Sequence, residues 1–175
     1  MNRQRAERQL TLIDQTLTAA RRHGVPIWLR GGWAMDFFLG EVTREHEDID
    51  WFARAEDAAD LAEMLVRLGH TPVPGPPPGL QLDFVKDGLD SSFTLVERDA
   101  AGRVVVAGGP WAGTPWPDGL LDAEPGRIGG LEAPIVSAPA QIEIKRMMPV
   151  WDPARPRRAK DIEDVARLEA ALRRT

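Results

Sequence analysis

Leu29-Arg30-Gly31-Gly32-Trp33-Ala34-Met35-Asp36 and, a short way downstream, His46-Glu47-Asp48-Ile49-Asp50 carry the pattern that organises this chain. Pro26-Ile27-Trp28-Leu29 is an apolar run bounded by Gly31-Gly32 and has the character of a buried strand. Trp33 to Leu39 is apolar apart from Asp36 and closes at Gly40, which predicts a short helix directly after the double glycine. Ile49-Asp50-Trp51-Phe52 predicts a second strand after the charged turn Thr43-Arg44-Glu45-His46-Glu47. Alternate strand residues share a face, so Asp48 and Asp50 project together. Alone, an Asp-x-Asp is a common surface pair. Two converging carboxylates repel each other, however, and a divalent cation such as Mg²⁺ removes that penalty. Gly31-Gly32 leaves backbone amides at a helix start with no side chain in the way, a setting suited to phosphate. Strand, Gly-Gly, helix and Asp-x-Asp in close succession are the equipment of metal-assisted phosphoryl or nucleotidyl transfer.

Outward from this centre the elements alternate. Leu10, Ile13, Leu17 and Ala20 predict an amphipathic helix over about residues 5–22, stopped by His23-Gly24. Leu61, Met64, Leu65 and Leu68 form the stripe of another over 57–68. Residues 71–79 hold five prolines and exclude a helix or a central strand. Ser92–Val96 and Arg103–Ala107 predict a hairpin with a longer loop, whereas 108–134 shows little periodicity and suits surface loop or short strands. Helices over about 138–148 and 157–173 finish the chain, the last with Ile162, Val165, Leu168 and Leu172 as its buried stripe. The expected class is α+β: a small mixed sheet with helices packed on it and a short C-terminal helical segment.

The chain has 175 residues, with 43% hydrophobic and 28% charged residues, which predicts one folded domain. Residues 1–135 would form its α/β core and 136–175 its C-terminal helices. Without cysteine there is no disulfide, no Cys-ligated metal and no thiol nucleophile. The polar N-terminus does not read as a signal peptide, and no apolar stretch is long enough to span a bilayer. A cytoplasmic protein with no membrane partner is expected. The net charge of −5 argues against a nucleic-acid partner, which calls for a basic surface.

Trp28 to Trp51 resembles the aminoglycoside and lincosamide adenylyltransferases of the polymerase β-type nucleotidyltransferase superfamily. The family's Gly-Gly-Trp-x-x-Asp is matched by Gly31-Gly32-Trp33-Ala34-Met35-Asp36. Its Thr-Arg-x-His-x-Asp-x-Asp strand is matched by Thr43-Arg44-Glu45-His46-Glu47-Asp48-Ile49-Asp50. The likeness extends more thinly to a C-terminal Lys-Asp-x-x-Asp, here Lys160-Asp161-Ile162-Glu163-Asp164. It implies a polymerase β-like fold and an antibiotic-resistance activity, the Mg²⁺-dependent transfer of AMP from ATP to a hydroxyl of a small molecule such as an aminoglycoside or lincosamide. Asp48 and Asp50 would hold Mg²⁺, with Gly31 and Gly32 on the triphosphate. A third carboxylate would complete the metal site or act as base. Asp90, opening the strand Ser92–Val96, fits the family's strand better than Asp83 in Gln81-Leu82-Asp83-Phe84-Val85.

Arg44 and His46 in the turn before the metal pair are candidates for phosphate contact, and the resemblance implies that Lys145 in the predicted helix points at the nucleotide. Arg155, Arg157, Arg158 and Lys160 would close over an acidic substrate or form a solvated loop. Trp111 and Trp116 are candidates for stacking on a sugar or base, and Trp33 for the core. With only two C-terminal helices predicted, the acceptor site would be open or completed by a second subunit in a homodimer. Two other functions fit the same residues: a toxin–antitoxin nucleotidyltransferase acting on protein or RNA, and a nucleotide-binding module without turnover.

Overall fold

The computed structural model describes residues 1–175. Helix α1, Arg3–His23, starts where the Asn2 side chain accepts a hydrogen bond from the Arg5 amide and ends at Gly24 in the left-handed conformation. Strand β1, Ile27–Arg30, runs directly into α2, Gly31–Leu39, with no loop between them. Strand β2, Asp48–Arg54, is followed by a 3-10 turn and α3, Ala58–Arg67. Strands β3 (Thr71–Val73), β4 (Gln81–Lys86), β5 (Leu89–Arg98) and β6 (Val104–Val106) complete the main sheet. A small hairpin of β7, Gly126–Ile128, and β8, Leu131–Ala133, precedes α4, Ala138–Trp151, and α5, Ala159–Leu172.

The sheet order is β1-β2-β5-β4-β3, with β6 on the far half of β5. Only β2 and β5 are parallel, so the sheet is mixed. Side-chain alternation divides it into two faces. Ile49, Trp51 and Ala53 of β2, with Ile27, Leu29, Phe93 and Leu95, bury against Ile13 and Leu17 of α1 and Leu61 and Leu65 of α3. That face is the dry core. The opposite face carries Arg30, Asp48, Asp50, Asp90 and Ser92, and farther along Phe52 and Val96 pack beneath Val136 and Ala140. Met35 of α2 joins Ala138, Ile142, Val165 and Leu168, which seats α4 and α5 on α2 beside the polar face. No helix is long and apolar enough to cross a membrane.

The structure corrects the sequence expectations in three places. Gln81–Lys86 is a full strand, paired with β5 through Asp87-Gly88, both at positive φ (52° and 72°). This is a two-residue hairpin turn that glycine and aspartate tolerate. Pro72 lies in β3 at the sheet edge, in keeping with the exclusion of a helix or a central strand over 71–79, because a missing amide is tolerated there. In α5 the buried face is Asp164, Val165 and Leu168, whereas Ile162 is 58% exposed and Leu172 36%. Helix α4 also runs through Pro149 to Trp151 rather than stopping before it.

Candidate active site

The register of the sheet sets the polar face in rows. Arg30 faces Asp50 across β1–β2, Asp50 faces Ser92 across β2–β5, and Ser92 faces Asp83 across β5–β4. One row nearer the open edge, Asp48 faces Asp90. Asp90 thus stands on the strand next to Asp48, exposed, whereas Asp83 lies one strand beyond and accepts a 2.7 Å hydrogen bond from Gln81. No three His, Asp or Glu side chains converge at metal-binding distance, so the preformed part of the site is the pair Asp48 and Asp50. Burial and then the Asp48 charge push the Asp50 carboxyl up to about 6, against the opposing charges of Arg30 and Arg158. Two carboxylates that destabilise each other's charge fit a hard divalent cation, and the all-oxygen donor set suits Mg²⁺.

Both glycines of the pair answer to specific neighbours. Gly31 has φ +64°, and a Cβ there would lie 3.2 Å from Asp50 Oδ2. At Gly32 a Cβ would run into the His46 ring and come within 2.7 Å of Arg44 Nη2. No side chain caps the start of α2, so its first amides and positive end face a recess of about 100 Å³ that Arg44, Lys145, Arg158 and Lys160 also line.

A chain of buried polar contacts fixes those cations. Asp36, fully buried, accepts from the Thr43 hydroxyl at 2.6 Å and from the Thr43 amide at 3.2 Å, and lies 2.6 Å from His46 Nε2. Arg44 Nη1 lies 3.1 Å from His46 Nδ1. A guanidinium only donates, so Nδ1 accepts and Nε2 carries the hydrogen given to Asp36. Arg44 then donates from Nε and Nη2 to both oxygens of Asp164, at 3.1 and 2.8 Å. Lys145 Nζ donates to the same carboxylate at 2.9 Å and lies 3.5 Å from Asp161. Burial opposes the charge of Asp164, but Arg44 and Lys145 outweigh it and hold the carboxyl below the ordinary aspartate range.

Above the sheet face lies a cleft of about 540 Å³, reached by Asp48, Asp50, Gly31 and Lys145, among the expected residues. Asp90 and Asp83 do not line it. Its floor holds Arg30, for which the sequence suggested no role. The guanidinium lies over the rings of Phe52 (4.4 Å) and Trp116 (5.3 Å) and donates to Thr94 Oγ1 at 2.9 Å. Trp116 packs edge-on against Phe52, so it belongs to the sheet face, while Trp111 is 48% exposed and Trp33 is core. Asp164 was visible only as part of the Lys-Asp-x-x-Asp segment. The signal for its role was a carboxylate at the helical spacing of Val165 and Leu168, on the side that must be buried.

A sequence model of the family described as aminoglycoside-2''-adenylyltransferase matches residues 12–168. A 2''-aminoglycoside nucleotidyltransferase of Klebsiella pneumoniae is 48% identical over 61 residues, covering 35% of this chain and 34% of that protein. The match thus spans about a third of the length of that curated relative. The solution structure of the antibiotic-resistance factor ANT(2'')-Ia superposes with a TM-score of 0.75 at 25% identity, covering 95% of this chain and 85% of that one. The crystal structure of ANT(2'')-Ia with adenylyl-2''-tobramycin gives 0.73 at 25% identity, over 94% and 89%. Lincomycin-bound LnuA, a lincosamide adenylyltransferase, shares the fold at a TM-score of 0.71 and 19% identity, over 94% and 97%.

Proposed function

Because the chain belongs to the aminoglycoside-2''-adenylyltransferase family, we propose that it is a nucleotidyltransferase that moves AMP from ATP to a hydroxyl of a small molecule and releases pyrophosphate. The observation that carries this reading is the Asp48–Asp50 pair beside the uncapped start of α2, with the Asp50 carboxyl pushed up to about 6 by burial and the Asp48 charge. Asp48 and Asp50 would hold Mg²⁺, which when bound would supply charge neutralisation for the triphosphate. The amides of Gly31 and Gly32 and the cations Arg44 and Lys145 hold the triphosphate in the recess. Asp90, adjacent to Asp48 across β2–β5, takes the proton of the acceptor hydroxyl. The acceptor oxygen bonds to the α-phosphorus, the bond from that phosphorus to the bridging oxygen breaks, and pyrophosphate leaves with the electron pair. Helices α4 and α5, in the 136–175 segment, serve the 1–135 core as one wall of the site. A reaction that consumes ATP supports a cytoplasmic location.

Incubation with ATP labelled at the α-phosphate, Mg²⁺ and a panel of aminoglycosides, lincosamides and other hydroxyl compounds tests the reading. Label should enter at least one acceptor, and Asp48→Asn should reduce the rate by about a hundredfold or more. An absence of Mg²⁺-dependent ATP binding would remove the proposal.

A further inference from the structure

Helix α4 carries apolar side chains on two sides. One side, with Gln141, Ile144, Lys145 and Met148, lines the cleft. The other turns away from it and, with the last turns of α5, forms a shallow groove of about 650 Å³ that shares no residue with the cleft. Ile142, Met147, Trp151 and Leu172 give that groove its apolar surface. Glu143, Arg146 and Val150 follow one another at three- and four-residue spacing, so Val150 stands on the outer side with them. Val150 is 66% exposed, Trp151 38% and Leu172 36%. With Ile162, they make up four of the eight large apolar side chains that the fold leaves exposed, all on α4 and α5.

A helix that is apolar on opposite sides belongs between two bodies, because a side left in water exposes hydrocarbon without contributing to the fold. The cleft accounts for the inner side of α4. The charges around the groove identify what covers the outer one. Arg146 and Glu169 pair with each other at 2.5 Å within the chain. Glu143 on the α4 wall and Arg173 at the end of α5 are both exposed and have no ion-pair partner. The groove is thus neutral as a whole, with one free acid on one wall and one free base on the other. An anionic membrane or a nucleic acid selects a face of net positive charge, whereas this pattern is complementary to itself.

We propose that the outer face of α4 and α5 is a homodimer interface, on which a second copy of this chain docks about a twofold axis through the groove. Such an axis exchanges the two walls, so α4 of one protomer lies along α5 of its partner. Glu143 then meets Arg173 of the partner subunit, twice by symmetry, and Val150, Trp151 and Leu172 leave water. The exposed ion pairs set register and orientation, while the apolar contact supplies most of the affinity. A face of two short helices is small, so the dimer is a micromolar one that forms and parts. Each cleft stays open on its own protomer: the second copy backs the helix that carries Lys145 and does not complete the acceptor site.

Sedimentation equilibrium of the full chain, from about 1 to about 300 µM at about 50 mM salt, tests the interface without reference to any reaction. A reversible monomer–dimer equilibrium with a micromolar midpoint is expected. Val150→Glu should weaken it by about tenfold or more with helical circular dichroism unchanged, since an exposed side chain is replaced. Glu143→Arg and Arg173→Glu should each weaken the dimer by about threefold or more. An equimolar mixture of those two variants should associate at least as tightly as the parent, because each brings the charge that the other lacks. Monomer throughout the range overturns the proposal, and monomer that co-sediments with phosphatidylglycerol-containing vesicles overturns it by giving the face to a membrane. A dimer indifferent to Val150→Glu is built on another surface and overturns it too. Charge changes that fail to compensate in the mixture overturn the twofold pairing.

Discussion

Asp164 takes three hydrogen bonds, two from Arg44 and one from Lys145, and its side chain is fully buried. Asp164→Asn removes the carboxylate shared by Arg44 and Lys145 and leaves them facing a neutral amide, so the variant should unfold at lower urea than the parent. The pH dependence has a definite sign. The folded carboxyl lies below its unfolded value, about 3.9 for a free aspartate. Its stabilisation is therefore complete above that value and disappears as pH falls through the folded one. The urea midpoints of parent and variant should differ by a constant amount from about pH 5 to 8 and converge below about 4. Gly32→Ala forces the His46 ring and Arg44 apart and should destabilise by about 1–3 kcal/mol, read by thermal melting, with a raised KM for ATP. At this scale the sequence was legible where spacing alone decides direction: Asp48 and Asp50 share a face because strands alternate. The contact of Gly32 with His46, and the path of Arg30 across Phe52 to Thr94, arise between residues that only the folded sheet brings together.

Among the elements, α1, α2, β2 and α3 follow from periodicity with small changes at their ends. Strand β4 did not, although Asp87-Gly88 is a strong hairpin signal. Lys86-Asp87-Gly88 ends the apolar alternation of Gln81–Val85, and that interruption is the hairpin turn itself. Gly88→Ala, at φ 72°, should cost about 1 kcal/mol and be read as a lower Tm. The buried face of α5 differs from the apolar stripe for another reason. Its inner face carries the carboxylates that meet Arg44 and Lys145, so hydropathy points to Ile162 and away from Asp164. Leu168 is fully buried among Met35, Ala138, Ile142 and Val165. Leu168→Ala should lose about 2–4 kcal/mol and loosen α5, and with it the hold on Lys145. A raised KM for ATP, measured well below the melting temperature of the variant, would register that loosening.

Across the whole molecule, the dry face of the sheet is covered by α1 and α3 and the polar face is left as a cleft walled by α4 and α5. Both walls rest on α2, the helix whose first turn faces the phosphate recess, so the C-terminal helices share a foundation with the site they enclose. A ligand bridging the recess and the far wall ties these parts together, and saturation with Mg²⁺ and an ATP analogue should raise Tm in a concentration-dependent way. The alternation of helices and strands made the α+β class readable from the chain. The sheet order did not emerge, because nothing local specifies that β5 inserts between β2 and β4.

That insertion has a kinetic side. The antiparallel partners β4 and β5 are joined by two residues and can close early, whereas the parallel pairing of β2 with β5 must bring Asp48 to Asp90 across an intervening helix and two strands. The long loop has to lose its freedom before any rung of that ladder forms. During refolding, a hairpin and helices would accumulate first, and the carboxylates would come into register only at the step that zips the centre of the sheet. Recovery of metal binding should therefore coincide with the slowest refolding phase, well after the return of helical circular dichroism.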